Sequence, residues 1–205
     1  VGAACPLLCR RARAPRVDKN RGAPLAGAGE VVLVTYADPL AKAAVLDGAA
    51  RRAGSALYLD FDLMRAGHLA SGALRPAAGV GEVRAGAGGA RGAMATAISR
   101  ASRGGCLVIV DSLNGLHRAG GAGAEVAVNA SVMMLASAAR QGGSGLAVAC
   151  MARDEPGGGL VMVPMGRRVV ALAGAARARA VALPGGGATA ERLPQTALWG
   201  PQTSL

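Results

Sequence analysis

Aromatic side chains are nearly absent from this chain of 205 residues: they make up 2% of it, with one Trp, one Phe and two Tyr. A core must therefore be assembled from Ala, Val, Leu and Met, each of which buries less area than a ring. The same scarcity argues against recognition of single-stranded nucleic acid by base stacking. Lysine is almost missing too; Lys19 and Lys42 stand alone, and nearly all of the formal charge of +11 comes from arginine. There is no H-E-x-x-H, no G-x-S-x-G and no internal repeat. No run is long and apolar enough to span a membrane. The four cysteines make no disulfide framework: Cys106 and Cys150 fall in apolar strand-like runs, and Cys5 and Cys9 lack the second pair that a zinc site needs. A reducing, cytoplasmic setting is the expectation, with no metal.

What is abundant is Gly, at 32 residues, and small apolar side chains, in a composition that is 52% hydrophobic. Glycine runs at 120–123, 157–159 and 185–187 read as loops. Residues 1–29 are rich in Arg, Pro, Ala and Gly without a sustained period. They read as a disordered basic arm, in which Arg10, Arg11, Arg13, Arg16, Lys19 and Arg21 face one acid, Asp18. Such an arm suits the phosphates of nucleic acid, with steep salt dependence and little sequence preference. Codon bias toward Ala, Gly and Arg is the competing explanation of its charge. A domain is expected over 30–184, and 185–205 reads as a tail holding Trp199.

Within the domain, apolar strand runs alternate with helical segments: strand 31–36, helix 40–53 closed by Gly54, strand 56–61, a short helix near 62–70, a short strand at 80–84, helix 93–103, strand 106–111, a glycine-rich loop, helix 124–141 and strand 145–151. The helix 124–141 carries Val128, Val132, Leu135 and Ala139 at helical spacing. This alternation predicts an α/β fold with a mainly parallel sheet covered on both faces. Short strands at 159–163, 167–172 and 179–183 are expected to extend the sheet as antiparallel pairs. His68 and His117 fall in predicted loops and read as surface residues.

One segment carries a chemical signature in degraded form. A strand followed by G-x-x-x-x-G-K-[ST] and a helix cradles nucleotide phosphates. Here Val31–Thr35 is the strand, Tyr36 and Ala41 stand where the glycines belong, Lys42 fills the lysine slot and Ala43 replaces the hydroxyl residue that would reach Mg²⁺. Glycines let backbone N–H groups curl about phosphate at φ values that other residues adopt at a cost. Pro39 lacks an N–H, and Asp38 puts negative charge in the loop. Read without that frame, the segment is a strand, a turn and a helix with Lys42 solvated on the first turn.

The order of this degenerate loop, then Tyr58-Leu59-Asp60-Phe61-Asp62, then the apolar strand Cys106–Asp111 followed by Ser112, resembles the RecA superfamily of P-loop ATPases over residues 30–183. The group includes RadA-type recombinases and KaiC-like proteins. The resemblance implies a RecA-like fold in which strand 145–151 lies between 31–36 and 106–111. It implies that Asp111 occupies the Walker B position, that Asp62 lies where a carboxylate would polarise the attacking water, and that Lys42 and Asp111 are vestiges of a nucleotide site. The end of strand 145–151, Cys150-Met151-Ala152-Arg153, supplies no clear phosphate sensor. Accessory subunits of the Elongator complex similarly form RecA-like rings without working Walker motifs. The expected function is thus a non-catalytic subunit that assembles with itself or with paralogues and needs no cofactor. The alternatives are an ATPase of DNA recombination, repair or signalling that uses ATP and Mg²⁺ through an unusual loop, and a basic nucleic-acid-binding module.

Overall fold

The computed structural model describes residues 24–84, 89–121, 123–155, 159–169, 172, 174–184 and 186–194. Its centre is a seven-stranded sheet. The strands are β1 (Val31–Tyr36), β2 (Ala56–Asp60), β3 (Val80–Arg84), β4 (Leu107–Asp111), β5 (Gly145–Cys150), β8 (Ala176–Ala182) and β9 (Ala188–Leu193), in the order β3-β2-β4-β5-β1-β8-β9. All neighbours are parallel except β8 and β9. The expected neighbour order of 31–36, 145–151 and 106–111 is present. Strands β1, β4 and β5 are buried along their whole length. Continuous apolar runs such as VVLVTY suit only the interior of a sheet covered on both faces.

The helices are α1 (Pro39–Ala53), α2 (Met64–Ala70), α3 (Gly89–Ser102), α4 (Leu113–Gly120) and α5 (Glu125–Gly142). One sheet face packs Val31, Leu33, Val108, Val110, Leu146 and Val148 against α3, α4 and α5. The other packs Val32, Val34, Tyr58, Ile109, Ala147 and Ala149 against Val45, Leu46, Ala49 and Ala50 of α1. Alanines at the buried positions of α3 (Ala97, Ala101) and α5 (Ala136, Ala139) compensate for the missing rings by letting the layers approach closely. Leu25 and Ala26 close the lower edge of the α1 face.

Several expectations are corrected. Packing begins before Glu30: Leu25 is 6% exposed, the Gly29 amide donates to the Ser144 carbonyl, and Arg192 Nη2 donates to the Leu25 carbonyl. Residues 24–29 therefore belong to the domain, not to an arm. The arm residues Arg10, Arg11, Arg13, Arg16, Lys19 and Arg21 lie outside the described residues, as does Trp199. The stretch from 185 is not wholly a tail, because β9 pairs with β8 from Ala182↔Ala188 to Arg177↔Leu193. The strand expected at 179–183 is β8, which starts earlier, lies parallel to β1 and makes the expected antiparallel pair with β9. The strand expected at 159–163 is β7 (Leu160–Met162), which pairs with β6 (Ala152–Asp154) in a separate ladder. No strand occupies the described part of 167–172, which makes only a bridge from Arg168 to Val161. The glycine-rich loop after 111 contains helix α4, and both histidines are helical, His68 on α2 and His117 on α4. Among the described residues, no helix is long and apolar enough to cross a membrane.

The buried start of the domain yields a stability prediction. Leu25→Ala should lower the unfolding free energy by about 2 kcal/mol in chemical denaturation, at the low end for a buried leucine because the site lies at the core's margin. A cost near zero would return residues 24–29 to the arm.

Candidate functional site at the carboxyl ends of the strands

Open parallel sheets place their ligands beyond the carboxyl ends of the strands. At that end of β1, β2 and β4 the chain gathers Lys42, Asp62 and Asp111. Lys42 is fully buried. It lies on the first turn of α1 with its ammonium 2.5 Å from Asp111 Oδ1 and 3.1 Å from Asp62 Oδ2. The ring of Tyr36 covers it, 4.8 Å from Nζ to the centroid. Lys42 is thus neither solvated on a helix surface nor open toward a ligand. Both carboxylates that the sequence pointed to are its partners, and Asp111 does not cap the following turn; that cap is Ser112.

The carboxylates are themselves held. Tyr58, entirely buried, donates its hydroxyl to Asp111 Oδ2 at 2.6 Å. Asp62 Oδ2 also accepts from Ser112 Oγ at 2.6 Å, and Asp62 Oδ1 accepts from Arg118 Nη2 at 2.6 Å. Two cations thereby neutralise two carboxylates. Burial pushes the Asp111 carboxyl up, against the pull of Lys42. Burial also acts to lower the Lys42 pKa, but Asp111, Tyr36 and Asp62 outweigh it and leave the group above its ordinary value. The Tyr58 hydroxyl is pushed well up, by burial first and then by Asp111, which keeps its proton in place as a donor.

The loop that would cradle phosphate has been taken up by its neighbours. Strand β1 continues through Tyr36, and α1 starts at Pro39, leaving Ala37 and Asp38 as the connection. Asp38 is the helix cap; its Oδ1 accepts from the Leu40 amide at 2.8 Å. Pro39 takes the first helical position, where a missing N–H costs nothing. The Lys42 amide is bonded to the Asp38 carbonyl. Of the donors that the phosphate-loop frame would aim at a ligand, these serve the helix.

Helix α4 is the element that sequence reasoning missed, and it completes the site. Ser112 and Arg118 reach Asp62 from its two ends. Asn114 pins the end of β5, accepting from the Met151 amide at 2.8 Å and donating to the Met151 and Val163 carbonyls. Gly115 makes the approach possible, since a Cβ there would lie 2.5 Å from Asp62 Oδ1 and 2.8 Å from the Phe61 carbonyl carbon. Leu63, next to Asp62, holds φ 57, a left-handed conformation that leucine adopts at a cost. The Asp-Ser dipeptide at 111–112 was the available signal for a helix cap here.

Asp60 and its surroundings form a second buried cluster beside the first. Its Oδ2 accepts from the Ala66 amide at 2.7 Å. Arg65, 3% exposed, bonds Glu82 at 2.6 Å and Asp47 at 3.2 Å and lies over the Tyr58 ring. This cluster ties α1, α2 and β3 together; Asp60 Oδ1 and Arg65 Nε are buried in it without a hydrogen-bond partner among the described residues. Among the described residues, no group of three or more His, Cys, Asp or Glu side chains could hold a metal ion. Cys106 and Cys150 are buried free thiols, and Cys5 and Cys9 lie outside the described residues. No protein-family model matches the chain, and no curated protein is significantly similar to it.

The buried ion pair has a measurable signature. Lys42→Ala leaves the buried Asp111 carboxylate without a cation, while Asp62 keeps Arg118, and should cost about 3–5 kcal/mol of stability. The double variant Lys42→Met/Asp111→Asn should cost less than Lys42→Ala alone. Equal losses in both would show that the ammonium is not engaged by Asp111 in solution.

His117 gives a pH dependence. It is buried, and neither ring nitrogen has a hydrogen-bond partner among the described residues. Burial lowers its pKa from 6.5, with Arg167 adding to the effect and Glu125 opposing it. The unfolded chain therefore binds the proton at higher pH than the folded one, so stability is full above about 6.5 and is lost as pH falls below it. The difference between the wild-type and His117→Leu stability curves should fall with decreasing pH from that value. A flat difference would place the imidazole in water.

Proposed function

We propose that this chain is a RecA-fold subunit without nucleotide chemistry, acting through assembly with itself or with paralogous subunits. The observation that carries the reading is the engagement of Lys42. The one surviving phosphate-binding side chain is enclosed by Asp111, Asp62 and the Tyr36 ring, all from the same chain. Phosphoryl transfer needs a cradle, a metal and a positioned water. Here the cradle residues are wound into α1, and Ala43 offers no hydroxyl. An incoming triphosphate would have to break the ion pair while bringing further negative charge beside two carboxylates.

For assembly, the support is the outer face of α5. Val126 is 80% exposed, Met133 57% and Met134 59%. Apolar side chains aligned on one helix face and left to water are the usual mark of a contact surface. The reading as an ATPase has one observation in its favour: Lys42, Asp62, Asp111 and Arg118 do converge at the correct end of the sheet. Magnesium would there have to be held by Asp111 and the substrate's own phosphates.

Calorimetric titration with Mg-ATP separates the two. The expected result is no saturable heat in the wild type. Micromolar affinity that disappears in Lys42→Ala would overturn the proposal and establish the nucleotide site. Sedimentation at several concentrations tests the assembly with itself, and a chain that remains a 20.1 kDa monomer would leave paralogous subunits as its partners.

A further inference from the structure

The opposite end of the sheet, where the parallel strands begin, carries a rim of arginines. Arg51 and Arg52 stand on the last turn of α1, Arg100 on the last turn of α3 with Arg103 just beyond it, and Arg140 on the last turn of α5. Arg192 joins them at the end of β9, beside the first residues of β8. Hydrogen bonds trace the rim as one continuous edge. Arg51 bonds the Arg75 carbonyl, and the Ala56 amide donates to Gly79. Arg100 donates to Ser55 Oγ at 3.1 Å, and Ser144 Oγ donates to Ala101. The Gly29 amide bonds Ser144, and Arg192 reaches the Leu25 carbonyl and Glu30. All but Arg100, which is half-buried, are exposed.

Among the described residues, the carboxylates near this edge are Glu30, taken up by Arg192, Asp47, which is buried and shared by Arg51 and Arg65, and the exposed Glu191, next to Arg192 on β9. Asp38, Asp62, Asp111, Glu125, Asp154 and Glu155 lie toward the other end, where all but Asp38 meet a cation. The charge of the domain is thus segregated along the strand axis. Helix macrodipoles favour arginine at the ends of α1 and α3, where Arg52 and Arg103 are exposed.

We infer that this arginine rim is a docking surface for the phosphate backbone of duplex nucleic acid. Phosphate is the chemistry indicated, because guanidinium groups bind it in pairs of hydrogen bonds and every cation named on the rim is an arginine. A lipid surface fits less well. Attachment to a bilayer adds buried apolar side chains to charge, and the exposed large apolar residues, Leu40, Leu63, Val126, Met133 and Met134, lie at the opposite end or along α5. With no exposed aromatic ring on the rim among the described residues, contacts stop at the backbone and carry little sequence preference. The inference does not depend on the state of the Lys42 site.

Fluorescence anisotropy with labelled RNA and DNA duplexes of about 20 base pairs, between about 50 and 200 mM salt, tests it. The full chain should bind at least one of them, with log affinity falling linearly in log salt. Arg52→Gln/Arg103→Gln removes two exposed charges from the rim and should lower that slope by about 2. Arg153→Gln/Arg168→Gln, at the far end, should leave it unchanged. A chain starting at residue 23 should bind more weakly yet still respond to the rim substitutions. The inference is overturned by any of four results: the rim variant binds as wild type does, the far-end variant weakens binding equally, removal of the arm alone abolishes binding, or phosphatidylserine vesicles are bound while both duplexes are not. Unchanged circular dichroism and melting of the variants keep loss of folding out of the reading.

Discussion

The fold closes around one buried contact, the Lys42 ammonium against the Asp111 carboxylate. Each member arrives from a different element: Lys42 from the first turn of α1, Asp111 from the end of β4, with Tyr58 on β2 and Asp62 just past it completing the ring. Neither ion could be buried without the other, since an unpaired charge in an apolar interior costs several kcal/mol. The contact therefore fixes the position of α1 over the sheet and the reach of β4 relative to β2. Strand β5, which lies between β1 and β4, is enclosed by the same arrangement.

The central strands were legible because a strand buried on both faces has no room for polar residues. VVLVTY, LVIVD and GLAVAC announce themselves, and their order followed from the resemblance that Asp111 and Lys42 carried. The site was legible only as a set of positions. That Lys42 is enclosed depends on Tyr36, Tyr58, Asp62 and Asp111 converging in space, and no local pattern states that. Helix α4 was hidden by Gly115 and by glycines on either side, which read as a loop. Gly115 is there for a different reason, the close passage of the helix beside Phe61 and Asp62. Strand β9 was hidden likewise, because the glycines at 185–187 looked like the start of a tail and not like a turn between paired strands.

Small side chains set the character of the rest. With Tyr58 the largest fully buried residue, the layers are joined by many alanine contacts and few large ones. Polar clusters supply the fixed points that rings supply elsewhere. Arg65 with Asp47 and Glu82 anchors α1 and α2 to β3, and Asn114 anchors α4 to β5. The two ends of the sheet differ: at the carboxyl ends Lys42, Asp62, Asp111 and Arg118 pair with one another, and at the amino ends arginines outnumber the carboxylates that meet them.

The dipeptide Asp38-Pro39 holds a further meaning. The number of residues between Tyr36 and Lys42 equals the spacing between the first glycine and the lysine of a phosphate loop. What differs is the point at which coil becomes helix. Asp38 caps and Pro39 nucleates a turn early, and residues that could have formed a loop are wound into α1 instead. Glycine at 36 and 41 alone would not undo this, because the helix boundary would stay where the cap and the proline set it. The closed state of the site is thus inherited from a local choice of helix phase, made by two adjacent side chains before any ligand is met.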